Sequence, residues 1–466
     1  MTQNSLAFPA SARRSSRTFF ALALLSGAVV AGCATAPPRI EPPAPRPLGA
    51  AVPAYSASDA ASAPQDTELP VEPEGRIALR HALAAALLRN PELVAFSWEV
   101  RVREARALQA GLLPNPDLSI EVENAGGSGD FKGADQAETT LALGQLIELG
   151  GKRTKRRRVA ELEASLAGWD YEVRRVEVFA QVARAFTSLL AAQERLRLAD
   201  ELFQLTNQAL DSVARQVEAG AASSVERTRA EVAVATQTLE RRSAEAELAA
   251  ARARLAATWG GRRALFDEAE GDLFTVAAPP PRETILARVD ANPELARWVQ
   301  EIELRKAVVA LEDAQRIPDP VASVGVRRLE ESNDTVLVFG VTMPLQVFDR
   351  NQGLRLAARR DLTKARHQRL AAEVGVETDL EVAIQELSAS YQEVETLRGQ
   401  VLPKAERAYR DVRQGYLQGR FRYLDVLDAQ RNLFELRSRE IDALQAYHSS
   451  VADVERLTGT PLQARP

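Results

Sequence analysis

The sequence predicts a mainly α-helical protein with a small β part, built from one structural unit that occurs twice. A set of landmarks that return in the same order indicates this duplication. The motif Asn-Pro-Glu-Leu begins at Asn90 and again at Asn292, and Pro-Asn-Pro at 114–116 corresponds to Pro-Asp-Pro at 318–320, with spacings of 202 and 204 residues. Self-similarity at a long period is the signature of a repeated supersecondary unit. We therefore place the two copies at residues 76–278 and 279–466.

Each copy is expected to contain one shorter helix and a pair of long helices. The shorter helix (91–113 and 293–316) ends at the proline cluster, because the residue before a proline disfavours the α conformation. Between Gly151 and Gly220 the chain has no proline and one glycine, so a helix over 152–218 would be about 100 Å long. Its apolar residues recur at spacings of three and four, which predicts a coiled-coil seam. The partner helix is expected at 223–258, the second pair at 351–417 and 421–458, and a kink at Pro403.

Alternation with a period of two predicts four β-strands, two in each copy. In the first strand the apolar residues Leu118, Ile120 and Val122 alternate with Ser119, Glu121 and Glu123. The other three strands are expected at 139–147, 322–327 and 337–342. Strands of about ten residues with one apolar and one polar face suit a barrel with lipid outside and water inside.

Four strands alone would leave two open edges, and in lipid each unsatisfied backbone group costs several kcal/mol. Several chains would therefore share one barrel: two chains would supply eight strands and three would supply twelve. The residues alone do not choose between these numbers. The alternative interpretation is a pair of soluble hairpins packed on the helices.

Residues 1–32 predict an export signal peptide that ends before the sole cysteine. Arginines that begin with Arg13 precede an apolar run from Phe19 to Val30, which is too short to cross a bilayer because about 20 residues are needed. The sequence Val-Ala-Gly-Cys at 30–33 resembles a bacterial lipobox. This resemblance implies that Cys33 is the lipid attachment site, acylated with palmitate-type chains; the alternative is an ordinary cleaved signal. Residues 33–75, which begin with this cysteine, continue as a Pro- and Ala-rich tether.

The composition excludes several classes of function. With 59 basic against 64 acidic residues and a net charge of −5, the chain has no global attraction for nucleic acid. One cysteine, two methionines and three histidines cannot build a Cys/His zinc cage. The sequence contains no phosphate loop, nucleophile elbow or metal-ligand motif, so we predict no catalytic residue, no bound metal and no cofactor. The basic run 152–158 is interpreted as a contact with lipid headgroups or as a solvated helix start.

The duplicated order of helix, hairpin and long helices, the signal peptide and the Asn-Pro landmarks together resemble the TolC-type outer-membrane efflux proteins. The resemblance covers residues 76–460 and implies a homotrimer with a twelve-stranded β-barrel in the outer membrane and an α-helical tube in the periplasm. It also implies two partners, a periplasmic adaptor (membrane fusion protein) and an inner-membrane pump of the resistance-nodulation-division type. Residues 114–124 and 147–153 are most similar to the heavy-metal branch of the family, the cobalt–zinc–cadmium resistance type.

Residues 416–428 match the periplasmic tip of this family. The resemblance implies that the tip facing the adaptor contains Gly220 from the first copy and Tyr416, Gly419, Arg420 and Phe421 from the second. Phe421 is a departure, since the family often has an arginine at that position.

The resemblance also implies a channel constriction at Asp425 and Asp428. These two residues are three positions apart, so they face one side of a helix. Three copies would place six carboxylates around a narrow passage, which favours cations over anions. The first copy has Glu226 and Arg229 at the equivalent positions. The alternative is that both aspartates are solvated surface residues.

These inferences lead to one expected function and two alternatives. The expectation is the outer-membrane channel of a tripartite efflux system, a passive conduit for divalent heavy-metal cations and not an enzyme. The first alternative is a channel for drugs or other organic molecules. The second, from a different class, is a periplasmic lipoprotein adaptor or coiled-coil scaffold without a barrel. The long helices connect directly to the strands, without the lipoyl-like β-domain that would favour an adaptor.

Overall fold

Helices form most of the chain in a computed structural model, which describes residues 72–462. The predicted signal peptide, Cys33 and the tether up to residue 71 lie outside the described residues. The first half contains, in order, β1 (Gly75–Ala78), α1 (Leu79–Arg89), α2 (Pro91–Ala110), β2 (Asp117–Glu123), β3 (Glu138–Leu146), α3 (Lys152–Glu218), α4 (Ser224–Ala257) and β4 (Phe266–Glu270). The second half contains α5 (Arg282–Leu286), α6 (Pro293–Gln315), β5 (Val321–Leu329), β6 (Asp334–Thr342), α7 (Gln352–Thr396), α8 (Leu402–Leu417) and α9 (Tyr423–Thr458).

The repeated Asn-Pro-Glu-Leu motif is a helix start that folds in the same way in both copies. The side-chain oxygen of Asn90 accepts hydrogen bonds from the two backbone N–H groups that follow the proline, and its amide donates to the carbonyl of Thr258 at 2.7 Å. Asn292 repeats these bonds and donates to the carbonyl of Leu457 at 2.8 Å. Each asparagine therefore caps its own helix and ties it to the end of a long one. Loss of such a cap costs about 1 kcal/mol.

The first long helix is uninterrupted. α3 has 67 residues and is therefore about 100 Å long, which confirms the span predicted from the absence of proline. The corresponding stretch of the second copy is divided, because α7 ends at Thr396, Leu397–Val401 form a π-helical turn and α8 follows. Pro403 accounts for the break, since it has no N–H to donate to the carbonyl four residues earlier.

The largest hydrophobic cluster lies where a short parallel pair of strands, β1 and β4, meets α1, α3 and α4. Ile77 and Leu255 are fully buried, and Trp259 is 2% exposed. Burial of each such side chain contributes about 1.5–3 kcal/mol. Neither this strand pair nor α1 was predicted. The two strands have only four and five residues, which is too few for a period of two to be detected.

The second sheet has four antiparallel strands in the order β2-β3-β5-β6. Its centre joins the two copies, since β3 pairs with β5 from Glu138 opposite Leu329 to Leu146 opposite Val321. The four strands predicted from alternation are thus confirmed. Within residues 72–462, no helix is both long enough and apolar enough to cross a membrane.

Candidate functional site

One face of the four-stranded sheet is a continuous apolar surface. The register places Ile120, Leu141, Val326 and Leu337 in one row across the strands, with exposed fractions of 69%, 43%, 39% and 52%. A second row contains Leu118, Leu143, Val324 and Phe339. Contiguous exposed apolar patches of this kind mark membrane or protein interfaces.

The opposite face carries most of the charged residues of the sheet. The Arg327 guanidinium contacts Glu123 at 3.1 Å and Glu138 at 2.7 Å, and its Nε donates to Thr140 Oγ1 at 2.9 Å. Glu121 points to the same face and forms no ion pair within residues 72–462. Two glutamates therefore share one arginine and a third lies unpaired on the same face, so this region of the polar face is net negative.

Both outer edges of the sheet are open. β2 pairs only with β3, and β6 pairs only with β5, within the part of the chain that the structure describes. Every residue of β2 is exposed. A row of unpaired backbone groups on an edge strand is a template for another strand, so the sheet is built to continue beyond one chain.

The predicted tip residues Gly220 and Gly419 are the turns of the two long helical hairpins. Gly220 lies between α3 and α4, and Gly419 lies between α8 and α9. Their φ angles are +72° and +73°, a region that side chains with a Cβ rarely adopt. Each donates its N–H back to the preceding helix, Gly220 to Val217 at 3.0 Å and Gly419 to Tyr416 at 2.9 Å, as helix-terminating glycines do.

The predicted tip residue Tyr416 connects the two turns. Its hydroxyl donates to Gln216 Oε1 at 2.9 Å, and its ring centroid lies 5.9 Å from that of Tyr423. Tyr423 is 2% exposed and belongs to a cluster with Val213 and Ala230. Burial raises the pKa of Tyr423 to about 12, with smaller contributions from the neighbouring tyrosines and Glu226. Burial likewise raises the pKa of Tyr416.

The remaining predicted tip residues, Arg420 and Phe421, fold back onto α8. The Phe421 ring packs directly on Gly415, where the Cβ of any other residue would overlap the ring. The Arg420 N–H donates to the carbonyl of Gly415 at 2.8 Å. Phe421 is nevertheless 45% exposed, and the Arg420 side chain forms no ion pair with residues 72–462. The tip thus presents an aromatic ring beside an uncompensated guanidinium.

The predicted constriction residues lie in the first turns of α9. The Asp425 carboxylate accepts the backbone N–H of Arg422 at 2.8 Å, which is one half of a capping box. Asp425 is half-buried and Asp428 is exposed. Neither forms an ion pair with the described residues. Asp425 therefore has a structural task that the sequence did not reveal, whereas Asp428 presents its charge to solvent.

The basic run at the start of α3 is largely engaged in internal ion pairs. Lys152 is 4% exposed and contacts Asp319 at 2.7 Å. Arg156 pairs with Glu148, and Arg157 pairs with Glu161. Neither interpretation made from the sequence applies to Lys152, which is a buried structural lysine. Residues 72–462 contain no group of three His, Cys, Asp or Glu side chains placed to hold a metal ion.

An antiparallel sheet that is apolar on one face, polar on the other and open at both edges, joined to hairpins of long helices, defines the subunit of a TolC-type outer-membrane channel. The sequence profile of the family described as outer membrane efflux protein matches residues 82–261 and 288–460. The chain therefore belongs to this family.

Individual relatives agree with this assignment. The chain is 35% identical over 419 residues to the cobalt-zinc-cadmium resistance protein CzcC of Cupriavidus metallidurans, a match that covers 89% of this chain and 98% of that protein. It is 29% identical over 289 residues to the nickel-cobalt-cadmium resistance protein NccC of Alcaligenes xylosoxydans xylosoxydans, covering 62% and 64%. The predicted resemblance to the heavy-metal branch is thus confirmed.

Solved structures show the same fold at low sequence identity. CusC, described as forming a transmembrane channel, superposes with a TM-score of 0.69 at 16% identity, covering 82% of this chain and 92% of that one. The outer membrane protein VceC of Vibrio cholerae superposes with a TM-score of 0.69 at 18% identity, covering 83% and 97%. The expected mainly helical TolC-type fold is confirmed.

Three residues of these sites were missed from the sequence: Gln216, Arg327 and Gly415. Gln216 and Arg327 gave no signal, because their partners are distant in sequence. Gly415 did offer one, since a glycine inside a helix costs about 1 kcal/mol relative to alanine and needs a compensating reason. Here the reason is the Phe421 ring.

Proposed function

We propose that this protein is the outer-membrane channel of a tripartite efflux system that exports divalent heavy-metal cations. The observation that carries the proposal is its identity of 35%, over 98% of the length of CzcC, to a protein named for cobalt, zinc and cadmium resistance. A second relative is named for nickel, cobalt and cadmium resistance. The channel is passive, and its partners supply the energy.

Three copies form the conducting unit in this proposal. The support is the pair of open edges, since β6 of one copy can continue onto β2 of the next. Closure of three four-stranded sheets gives a twelve-stranded barrel, which removes the unpaired edges that lipid does not tolerate. The apolar row of Ile120 and Leu141 then faces lipid, and the polar face around Arg327 lines the water-filled lumen.

The proposed partners are a periplasmic adaptor of the membrane fusion type and an inner-membrane pump of the resistance-nodulation-division type. The adaptor docks on the tip at Gly220, Tyr416, Gly419, Arg420 and Phe421. The exposed Phe421 ring and the uncompensated Arg420 charge support this, because aromatic and arginine side chains are enriched at protein interfaces. Cys33 carries acyl chains that anchor the chain to the outer membrane, and the helices extend into the periplasm.

Asp425 and Asp428 form the cation-selective constriction in this proposal. Both lie directly after the turn at Gly419, and neither charge is neutralised within the described chain. Three pairs around one axis concentrate six carboxylates, which attracts divalent cations and repels anions. No resident metal site is needed, because the cation is cargo.

The main competing cargo is an organic molecule such as a drug. Removal of the gene distinguishes the two. We expect the deletion strain to lose growth at Co²⁺, Zn²⁺ or Cd²⁺ concentrations that the parent tolerates, with unchanged tolerance to drugs, and the cloned gene to restore growth. The matched control is the cloned gene with Gly325→Leu, which is expected not to restore growth. A Cβ at that position would lie 2.6 Å from the Leu141 carbonyl oxygen and disrupt the β3–β5 pairing. Lost drug tolerance with unchanged metal tolerance would overturn the metal proposal.

A further inference from the structure

The loop after β3 is locked to the loop before β5. Lys152 contacts the Asp319 carboxylate at 2.7 Å and donates to the carbonyl of Ile317. Asp319 also accepts the Leu149 N–H at 2.7 Å. The Ile317 side chain packs on Gly150, where a Cβ would lie 2.7 Å from its Cδ1. We name these contacts, between residues 147–152 and 316–320, the intrachain joint.

The duplication supplies equivalent loops at the two open edges of the sheet. The spacing of 204 residues makes Asn115 the counterpart of Asp319 and Leu113 the counterpart of Ile317. α3 begins at Lys152 after a left-handed residue, and α7 begins at Gln352 after a left-handed residue, with φ angles of 66° and 57°. Gln352 is therefore the counterpart of Lys152.

These equivalent loops are uncovered in the single chain. Leu113 is 57% exposed and Phe348 is 91% exposed, whereas Lys152 in the intrachain joint is 4% exposed. Asn115 and Gln352 are exposed as well. The second loop is two residues longer, because ten positions separate Thr342 from Gln352 but eight separate the equivalent Gly144 from Lys152. The exposed Phe348 side chain protrudes from this longer loop.

The two pairs differ in charge in a matched way. Lys152 and Asp319 are a cation and an anion, whereas their counterparts Gln352 and Asn115 are both amides. A lysine buried against asparagine, or an aspartate buried against glutamine, would leave one charge without an ion partner, which is strongly unfavourable. Both members of the pair change together, as expected if they face each other.

We propose that a second joint, between chains, forms where β6 of one copy meets β2 of the next. Residues 343–352 of one copy dock on residues 111–116 of its neighbour, so that Gln352 bonds Asn115 and Phe348 covers Leu113. The Gln352 amide accepts the Arg350 N–H at 2.8 Å and donates to the Phe348 carbonyl at 3.1 Å, and its second N–H serves Asn115. This inference rests on the proposed trimer and names how its subunits recognise each other.

The charge difference gives the two joints separate identities. The intrachain joint is ionic and the interchain joint is neutral, so a loop that reaches the wrong partner leaves Lys152 or Asp319 unpaired. The two copies of the repeat in each chain can therefore alternate around the ring in a defined order.

Charge substitutions in the purified full-length trimer test the pairing. Gln352→Lys alone is expected to lower the temperature at which trimers dissociate in detergent by several degrees, and Gln352→Lys with Asn115→Asp to restore it. Gln352→Glu with Asn115→Asp places like charges together and is expected to dissociate trimers further. Circular dichroism of each variant checks that the chain itself is folded. If the opposite-charge and like-charge pairs had equal effects, the joint would be refuted.

Thiol cross-linking tests the apolar contact. Leu113→Cys with Phe348→Cys is expected to yield covalent dimers and trimers with a short bifunctional maleimide. Leu239→Cys, which is 66% exposed on α4, replaces Phe348→Cys in the matched control and is expected to yield none, as is the parent chain with Cys33 alone. Trimers that form without cross-links would overturn the joint and leave the proposed function intact. Lipid, rather than the neighbouring chain, would then cover the Phe348 ring. Absence of trimers altogether would count against the proposed function itself.

Discussion

The Tyr416 hydroxyl donates to the Gln216 side-chain oxygen at 2.9 Å, and this bond ties the end of α8 to the end of α3. The two residues belong to different copies of the repeat and precede their turn glycines by three and four positions. A neutral hydrogen bond contributes about 1 kcal/mol net. Three such bonds around an axis would hold the tip of the proposed channel in one arrangement.

Removal of this bond is therefore expected to loosen the tip. Tyr416→Phe should increase the mean single-channel conductance of the purified protein in planar bilayers, because the two turns can separate more easily. Gln216→Ala should have the same effect, and the double variant should add little, since both substitutions remove one interaction. Additive effects, or conductance equal to that of the parent in both single variants, would contradict the assignment.

Tyr423 is expected to make the stability of the tip sensitive to alkaline pH. Its pKa is raised to about 12, chiefly by burial, from about 10 in an unfolded chain. The folded state thus favours the protonated phenol, so its stabilising contribution is complete below pH about 10 and is lost as the pH rises towards 12, amounting to about 2–3 kcal/mol. We expect the protection of the backbone amides at 409–430 against hydrogen exchange to fall over this interval. Protection here is the intrinsic exchange rate at each pH divided by the observed rate.

Tyr423→Phe is the matched control for this effect. The Tyr423 hydroxyl has no hydrogen-bond partner within residues 72–462, so its removal is expected to leave the tip as protected at neutral pH, or better protected by about 1 kcal/mol. The alkaline loss of protection should then diminish. A Phe variant that exchanged faster at neutral pH would show that the hydroxyl has a stabilising partner in the assembly.

Local sequence signals were sufficient for the long helices and for the four strands of the larger sheet, although not for β1, β4 and α1. The absence of proline after Gly151 and the apolar seam predicted α3 over the residues that it occupies, and the alternation around Ile120 predicted β2. What failed depends on contacts between distant residues. The sequence offered two interpretations of Asp425, a lumen charge and a solvated surface residue, and neither included its bond to the Arg422 backbone. That bond could be expected only once the helix start at Tyr423 was known.

The ion pair of Lys152 is a second contact between distant residues that local sequence signals did not predict. Seven residues of mostly basic sequence, 152–158, resemble a surface patch. The neutralising carboxylate of Asp319 lies in the other copy of the repeat. Only the fold brings the two together, since β3 and β5 must pair first.

Arg327 is expected to set the charge of the proposed lumen. Its replacement by methionine removes one positive charge per chain and frees Glu123 and Glu138, which it contacts at 3.1 Å and 2.7 Å. Cation preference, measured as the reversal potential in a KCl gradient, should therefore increase. Arg328 is the matched control, because it neighbours Arg327 but points to the other face of the sheet and pairs with Glu330. Equal shifts from Arg327→Met and Arg328→Met would contradict the assignment of the faces.

The constriction is best tested with asparagine rather than alanine. Asp425 caps α9 through the Arg422 N–H, and asparagine can still accept this bond while it removes the charge, so the helix start is preserved. Asp425→Asn with Asp428→Asn removes six charges from a trimer and is expected to reduce cation preference and block by divalent cations in single-channel recordings. Asp411→Asn, an exposed residue of α8, controls for general loss of surface charge. If the double variant selects cations as strongly as the parent does, the selective passage lies elsewhere, and the negative face around Glu121 becomes the next region to test.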